Sequence, residues 1–159
     1  MLPTPIMKWN NVPGVPEDIE LYVKRDDLTG CGLSGNKIRK LEFILGKAVA
    51  EGYDAVITCG RGPQTNHGRA TAIAAKELGL ECHLVFRGRN FGIDDIKGNM
   101  ILNCFVGSKF YFLPDTSNNF EYETVVKAKQ EQIAKELAAT GKKALIIGLG
   151  GGDITGLYG

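Results

Sequence analysis

A short basic stretch, SGNKIRK at residues 34–40, carries residue types that could perform amine chemistry. Lys37, Arg39 and Lys40 fall in the first turn of a predicted helix, where the helix dipole already places partial positive charge. This crowding breaks a local stability rule, which is typical of functional sites. The dipole and the neighbouring cations favour the neutral amine of Lys37, the form that Schiff-base chemistry requires. A solvated basic helix end would have the same composition, so this stretch alone leaves both interpretations open.

A second stretch, CGRGPQTNHGR at residues 59–69, joins a predicted strand to a predicted helix. Loops of this kind lie at the carboxyl end of an α/β sheet, where ligands bind. Thr65 and Asn66 are natural helix N-caps, and the amides that follow can hold an anion such as a carboxylate. Thr65 also offers a hydroxyl, and His67 offers a titratable imidazole. In the structural alternative, Thr65 or Asn66 merely caps the helix and His67 is exposed in its first turn.

Two further stretches have weaker chemical interpretations. GLGGGDITG at residues 148–156 could form a phosphate-binding nest, or it could be a tight connection between sheets or domains. It lacks the Gly-Lys-Ser/Thr of a P-loop. Arg25, Asp26 and Asp27 are expected to form a salt-bridged loop, although paired carboxylates can also perform acid–base chemistry.

The elements that must position these residues alternate between strand and helix along most of the chain. After an extended lead-in over residues 1–19, strands are predicted at 19–24, 55–58, 82–86, 109–113 and 144–147. Helices are predicted at about 37–51, 66–78, 96–105 and 121–139. This alternation predicts an α/β fold with an open, twisted parallel sheet and helices on both faces.

Composition excludes several classes of protein and of partner. The chain has 159 residues, a formal net charge of +1 and 43% hydrophobic residues, which is ordinary globular usage. The charge gives no bulk attraction to nucleic acid, and no run reaches the ~18 apolar residues of a transmembrane helix. The first ten residues do not resemble a signal peptide. We therefore expect no nucleic-acid or membrane partner and a cytoplasmic location.

The cysteines give no indication of a metal site. The four cysteines stand at positions 31, 59, 82 and 104, and they form no CxxC pair and no Cys/His cluster. Zinc sites require closely spaced ligands, so we predict that no metal is bound. Reduced thiols are the expectation for such a chain.

Taken together, four segments of the chain resemble one known family. They are VKRDDLTGCGLSGNKIRKLEFIL, ITCGRGPQTNHGRATAIAAKELGLECHLVFRG, GNMILNCFVGSKFYFL and LIIGLGGGDITGLYG, which follow the family's order and approximate spacing. The chain resembles D-cysteine desulfhydrase and 1-aminocyclopropane-1-carboxylate deaminase, which are pyridoxal-phosphate enzymes of the tryptophan-synthase-β fold type, also called fold type II. The resemblance covers about residues 20–159, and the combination of motifs is highly specific.

The resemblance implies a role for each candidate residue. Lys37 would form the imine with pyridoxal phosphate and, once released, move protons at the substrate α-carbon. Thr65 would orient the substrate or move a proton, Asn66 would hydrogen-bond the ring hydroxyl of the cofactor, and His67 would line the substrate side of the ring. The amides after Thr65 would hold the substrate carboxylate, so Asn66 would also contact the substrate. The implied substrate is a small amino acid such as D-cysteine, which would yield sulfide, ammonia and pyruvate.

The resemblance also implies a division of the chain. Residues 1–50 would be the edge of a large cofactor domain, 51–147 the small α/β domain, and 148–159 a truncated return to the large domain. Family members are roughly twice as long and form homodimers, and their second half supplies the glycine-rich cup for the cofactor phosphate. We therefore expect this chain to be the N-terminal half of a homodimeric enzyme, with weak activity or none by itself.

Some positions depart from the family pattern. Thr65 replaces the commoner serine, and its methyl group is expected to stiffen the side chain and narrow the pocket. Arg61, Gly62 and Pro63 replace small residues, and Asp153 stands in the turn after the last strand.

Several functional alternatives stay open at this stage. The sequence does not choose between D-cysteine desulfhydrase and 1-aminocyclopropane-1-carboxylate deaminase. A non-catalytic α/β module that binds an anionic metabolite or a partner chain is also consistent with the residues. A dinucleotide-binding domain is disfavoured, because GxGxxG does not follow the first strand and no acidic residue closes the second.

Overall fold

A computed structural model describes residues 3–88, 92, 94, 96–114 and 119–159. The parts of the predicted elements and domains at residues 1, 2, 89–91, 93, 95 and 115–118 lie outside the described residues.

The first two strands form a small antiparallel sheet that the sequence did not predict. β1 (Ile6–Trp9) pairs with β2 (Leu21–Lys24), with Met7 opposite Val23. Residues 1–19 were expected to form only an extended lead-in. All four side chains of β1 are exposed, so the strand has no buried face. Its sequence, IMKW, therefore lacks the regular alternation of apolar and polar residues that predicts a strand.

The helices and the main sheet follow the predicted alternation. In chain order they are α1 (Lys37–Ala50), β3 (Ala55–Gly60), α2 (Asn66–Glu77), β4 (Glu81–Arg87), α3 (Asn99–Phe105), β5 (Lys109–Leu113), α4 (Asn119–Ala139) and β6 (Ala144–Ile146). The strand order is β5-β4-β3-β6, and every neighbouring pair is parallel. The predicted parallel sheet is therefore confirmed.

Two apolar clusters cover the two faces of this sheet. On one face, α1, α2 and α3 pack around a cluster that includes Leu41, Leu84 and Phe86. On the other face, α4 packs on a cluster that includes Ile57 and Ile133. The sheet thus carries helices on both faces, as predicted. Helix α1, which bears Lys37, packs in the same apolar cluster as α2. The predicted division of the chain into domains after residues 50 and 147 stays a prediction.

The start of α3 differs from the prediction. The helix begins at Asn99 instead of residue 96, because Gly98 has a φ of +55° and a ψ of −131°, outside the helical region. A Cβ atom on Gly98 would lie 2.5 Å from Gln64 Oε1, so a side chain at this position would have to displace the Gln64 amide from its hydrogen bond with Asn99.

The described residues contain neither a membrane-spanning helix nor a cluster of metal ligands. No helix among them is both long enough and apolar enough to span a membrane. Those residues also contain no group of three or more histidine, cysteine or acidic side chains placed to hold a metal ion. The four cysteines are free thiols.

Candidate active site

An open cleft of about 510 Å³ lies where α1 and α2 begin and where the chain turns after β6. It contains all four of the site residues predicted from the sequence. The cleft is lined by Lys37, Arg61, Gly62, Gln64, Thr65, Asn66, His67, Leu149 and Gly150.

The basic cluster of residues 37–40 divides between two environments. Lys37 lines the cleft, and its Nζ atom lies 3.3 Å from the position that a Cβ atom on Gly150 would occupy. The turn after β6 approaches the amine this closely because Gly150 has no side chain and adopts a φ of +65°. Arg39 instead donates to Asp26 Oδ1 at 2.8 Å and to Thr4 Oγ1 at 2.9 Å.

Thr65 caps α2 and also lines the cleft, so the expected helix cap is present, whereas a role in catalysis stays a prediction. Its Oγ1 accepts a hydrogen bond from the Gly68 amide at 3.4 Å. Its methyl carbon faces two glycines, because Cβ atoms on Gly60 and Gly68 would lie 2.5 Å and 2.6 Å from it. The extra methyl group of threonine is therefore accommodated against the backbone.

His67 is 3% exposed, so the expectation of an exposed first-turn histidine is wrong. Its Nε2 lies 2.9 Å from Thr58 Oγ1, and that hydroxyl donates to the Ile147 carbonyl at 3.2 Å. We therefore assign the proton to Nε2, which leaves Nδ1 as an acceptor. Nδ1 is buried and has no hydrogen-bond partner among the described residues.

Burial also fixes the charge of this imidazole. Desolvation lowers the pKa of His67 to about 4, and the nearby cations Lys37 and Lys40 act in the same direction, against a smaller opposing effect of Asp153. The ring is therefore neutral at pH 7 and presents a lone pair.

Asn66 and Gln64 connect the cleft to the start of α3. Asn66 Oδ1 accepts from Asn99 Nδ2 at 2.9 Å, and Gln64 Oε1 accepts from the Asn99 amide at 2.9 Å. Gln64 Nε2 donates to the Lys97 carbonyl at 2.8 Å. Sequence reasoning missed Thr58, Gln64 and Asn99 as site residues. The only signal was that all three residues fall inside segments of the resemblance.

The glycine-rich turn after β6 forms a tight connection and no phosphate-binding nest. The amides of Gly151 and Gly152, which a nest would offer to an anion, already donate to the carbonyls of Gly148 and Leu149 at 3.0 Å and 3.3 Å. Asp153 accepts from the Gly156 amide at 2.8 Å.

The acidic pair near the start of the chain forms the expected salt-bridged loop. Arg25 donates to both carboxylate oxygens of Asp27 at 2.8 Å and 2.7 Å, and Arg39 pairs with Asp26. These bonds to arginine lower the pKa of both carboxyl groups. Neither aspartate lines the cleft.

Comparison with known proteins gives relatives along almost the whole chain. The chain is 41% identical, over 99% of its length, to the mitochondrial bifunctional D-cysteine desulfhydrase/1-aminocyclopropane-1-carboxylate deaminase of Arabidopsis thaliana. It is 44% identical, over 89% of its length, to a putative 1-aminocyclopropane-1-carboxylate deaminase of Pyrococcus abyssi. The chain spans only 39% and 40% of the lengths of these two relatives.

A solved structure and a family model agree with these relatives. The crystal structure of a homologue of 1-aminocyclopropane-1-carboxylate deaminase matches 96% of this chain with a TM-score of 0.79 and 40% identity, and the match covers 44% of that chain. The model of the family "Pyridoxal-phosphate dependent enzyme" matches residues 1–98, a range that includes both helices whose first turns line the cleft, α1 and α2. The parallel sheet is thus the fold type II sheet, and the chain belongs to the family of pyridoxal-phosphate dependent enzymes.

Proposed function

We propose that Lys37 holds pyridoxal phosphate in the cleft, and that the chain is part of a lyase or deaminase that acts on a small amino acid. The observation that carries this proposal is the meeting of Lys37, Thr65, Asn66 and His67 in one open cleft, although Lys37 stands on a different helix from the other three. Relatives of this family depend on the same cofactor.

The residues of the cleft fit the cofactor chemically. The Lys37 amine lies at the cleft beside Gly150, and the Nδ1 atom of His67 is a buried acceptor without a partner in the described part of the chain. Thr65 adds a hydroxyl and Asn66 an exposed amide. When bound, pyridoxal phosphate supplies an electron sink for a carbanion at the substrate α-carbon.

The chain's own residues would divide the remaining tasks. Lys37 would hold the cofactor covalently and, once released from it, would move a proton at the substrate α-carbon. Asn66 donates a hydrogen bond to the ring hydroxyl of the cofactor. His67 lines the substrate side and, being neutral, adds no second cation beside Lys37.

Substrate recognition would use the first turn of α2. The amides of Asn66 and His67 point out of a helix N-terminus, which suits a carboxylate. The Thr65 hydroxyl, fixed by its cap on Gly68, orients the substrate or moves a proton.

The proposed substrate class follows the activities for which the relatives are named. D-cysteine, giving sulfide, ammonia and pyruvate, is the substrate we propose, with 1-aminocyclopropane-1-carboxylate as the alternative. By the same resemblance we propose a homodimeric, cytoplasmic whole protein with a small domain at residues 51–147. Because the chain spans about two fifths of its relatives, we expect weak turnover from this chain alone.

Chemical capture of the cofactor tests the proposal. The chain is incubated with pyridoxal phosphate, reduced with borohydride and mapped by peptide mass spectrometry. We expect the label on Lys37, its loss in Lys37→Ala, and its retention in Lys40→Met, which removes the neighbouring cation that does not line the cleft. Label scattered over many lysines, or equal label in Lys37→Ala, would contradict the proposal.

A second candidate function is a non-catalytic module that binds an anionic metabolite at the start of α2. The cap of Thr65 on this helix N-terminus favours it. It predicts carboxylate binding, measured by calorimetry, that is unchanged by Lys37→Ala.

A further inference from the structure

Helix α2 carries a buried cation whose partners are backbone carbonyls. Arg69 is 8% exposed, its Nη1 donates to the Gly32 carbonyl, and its Nη2 donates to the Ser34 carbonyl at 2.9 Å. No carboxylate pairs with this guanidinium within the described part of the chain. A buried charge persists only when its donors are satisfied, so the two carbonyls are what hold Arg69 in place.

Both carbonyls belong to the segment that leads into Lys37, which we call the lysine loop (residues 30–36). Near its other end, the Gly35 amide donates to the Asp26 carbonyl at 2.9 Å and to Thr29 Oγ1 at 3.0 Å. Gly35 itself has a φ of +104°, a conformation that glycine adopts without strain. The lysine loop is therefore fixed at one end by the preceding turn and along its middle by Arg69.

Apolar packing reinforces the contact with α2. A Cβ atom on Gly32 would lie 3.1 Å from Ile73 Cδ1, so the loop lies directly against this side chain. Ile73 follows Arg69 by four residues and therefore lies on the same face of the helix. The lysine loop is therefore held against one face of α2 by the hydrogen bonds of Arg69 and by the apolar contact with Ile73.

The same helix face leads back to Thr65, and His67 lies in the first turn of the same helix. Thr65 precedes Arg69 by four residues, one helical turn away. A helix is rigid over this length. The Arg69 guanidinium therefore connects the lysine loop, which leads into Lys37, to the helix whose start carries Thr65 and His67.

We propose that Arg69 is a positioning residue that sets the Lys37 amine relative to Thr65 and His67. The planar guanidinium donates to two carbonyls from two nitrogens in a fixed geometry, whereas the ammonium of lysine is a single flexible donor group that imposes no such geometry. The proposal rests on the proposed function, because the consequence of positioning is selective capture of the cofactor at Lys37.

The test compares Arg69→Lys, which keeps the charge and most of the stem, with Lys76→Met, which removes an exposed cation from the same helix. Circular dichroism checks that each variant is folded. Hydrogen exchange of residues 30–36 reports the loop, and the ratio of borohydride-fixed label on Lys37 to that on Lys40 reports the amine. In Arg69→Lys we expect loop exchange to accelerate about tenfold, as for the loss of one charge-assisted hydrogen bond.

The label ratio separates positioning from a merely structural role. We expect the ratio to fall about threefold or more in folded Arg69→Lys, which corresponds to part of the free energy of one lost hydrogen bond. In Lys76→Met we expect the ratio to stay unchanged. An unchanged ratio in folded Arg69→Lys would overturn the inference, even if loop exchange becomes faster, because the role of Arg69 would then be merely structural. Scattered label already in the wild-type chain would instead contradict the proposed function. The exchange rates would then decide alone: equal rates in both chains overturn the role of Arg69, and a faster loop in Arg69→Lys supports it.

Discussion

At the scale of single residues, the site combines an amine with an imidazole that burial keeps neutral. His67 lies 2.9 Å from Thr58 Oγ1 and is 3% exposed. A protonated ring here would be a desolvated charge that also lies near the cations Lys37 and Lys40, which is why the pKa of His67 falls to about 4. The folded chain therefore excludes a proton that the unfolded chain binds.

This difference predicts a pH-dependent stability. Because the pKa of His67 falls from 6.5 when unfolded to about 4 when folded, only the unfolded chain gains a proton between these values. Stability present above pH 6.5 is lost as the pH falls through this window, by about 3 kcal/mol in total.

Urea unfolding at several pH values between about 7 and 4 measures this loss. We expect the pH dependence of the unfolding free energy to be less steep in His67→Gln than in the wild-type chain. Curves that run parallel over the whole window would contradict the assignment of the lowered pKa to His67.

The sequence predicted four residues of the site, but not the hydrogen bonds that surround them. Lys37, Thr65, Asn66 and His67 were expected to act together, and the structure brings them into one cleft. The hydrogen bonds from Asn99 to Gln64 and from Arg69 to Gly32 join residues more than thirty positions apart. Such contacts depend on how α1, α2 and α3 pack, and no local pattern of residue types encodes that packing.

At the scale of elements, the loop between β3 and α2 depends on how Thr65 fits between two glycines. Cβ atoms on Gly60 and Gly68 would lie 2.5 Å and 2.6 Å from the Thr65 methyl carbon, closer than side chains can approach. The next neighbours of a Cβ on Gly68 are Phe86 and Leu84, at 3.7 Å and 3.8 Å, which are ordinary contacts.

A double-mutant cycle tests this fit. We expect Gly68→Ala to destabilise the wild-type chain by about 1–2 kcal/mol through overpacking. In the Thr65→Ser background the clashing methyl is gone, and Gly68→Ala should be neutral or stabilising by up to about 1 kcal/mol through its helix propensity. Denaturant unfolding of the four proteins gives the coupling energy. Strict additivity of the two substitutions would contradict the predicted contact.

Elements buried in the sheet were predictable because their sequences are short apolar runs. Every residue of β3 is buried, and β4 is buried except at its two ends. β1 was missed because it has no buried face, and the start of α3 was misplaced because Gly98 and Gln64 fix it through a tertiary contact.

At the scale of the whole molecule, the hairpin of β1 and β2 belongs to a separate two-stranded sheet. Its exposed apolar side chains are Ile6, Met7, Trp9 and Tyr22. Isolated hairpins are marginal in water.

The single tryptophan of the chain reports on this hairpin. Trp9 is 60% exposed. We expect its fluorescence emission to be that of a hydrated indole and to be quenched efficiently by iodide. An emission typical of a buried indole, resistant to quencher, would show that the hairpin is covered in solution and would contradict its exposure.

The role of Lys37 as the cofactor lysine is tested most directly by a visible-absorbance titration of the chain with pyridoxal phosphate. We predict a saturable new band with one cofactor bound per chain, abolished in Lys37→Ala and retained in Lys40→Met. The absence of a saturable band, or the same band in Lys37→Ala, would contradict the assignment of the cleft as the cofactor site.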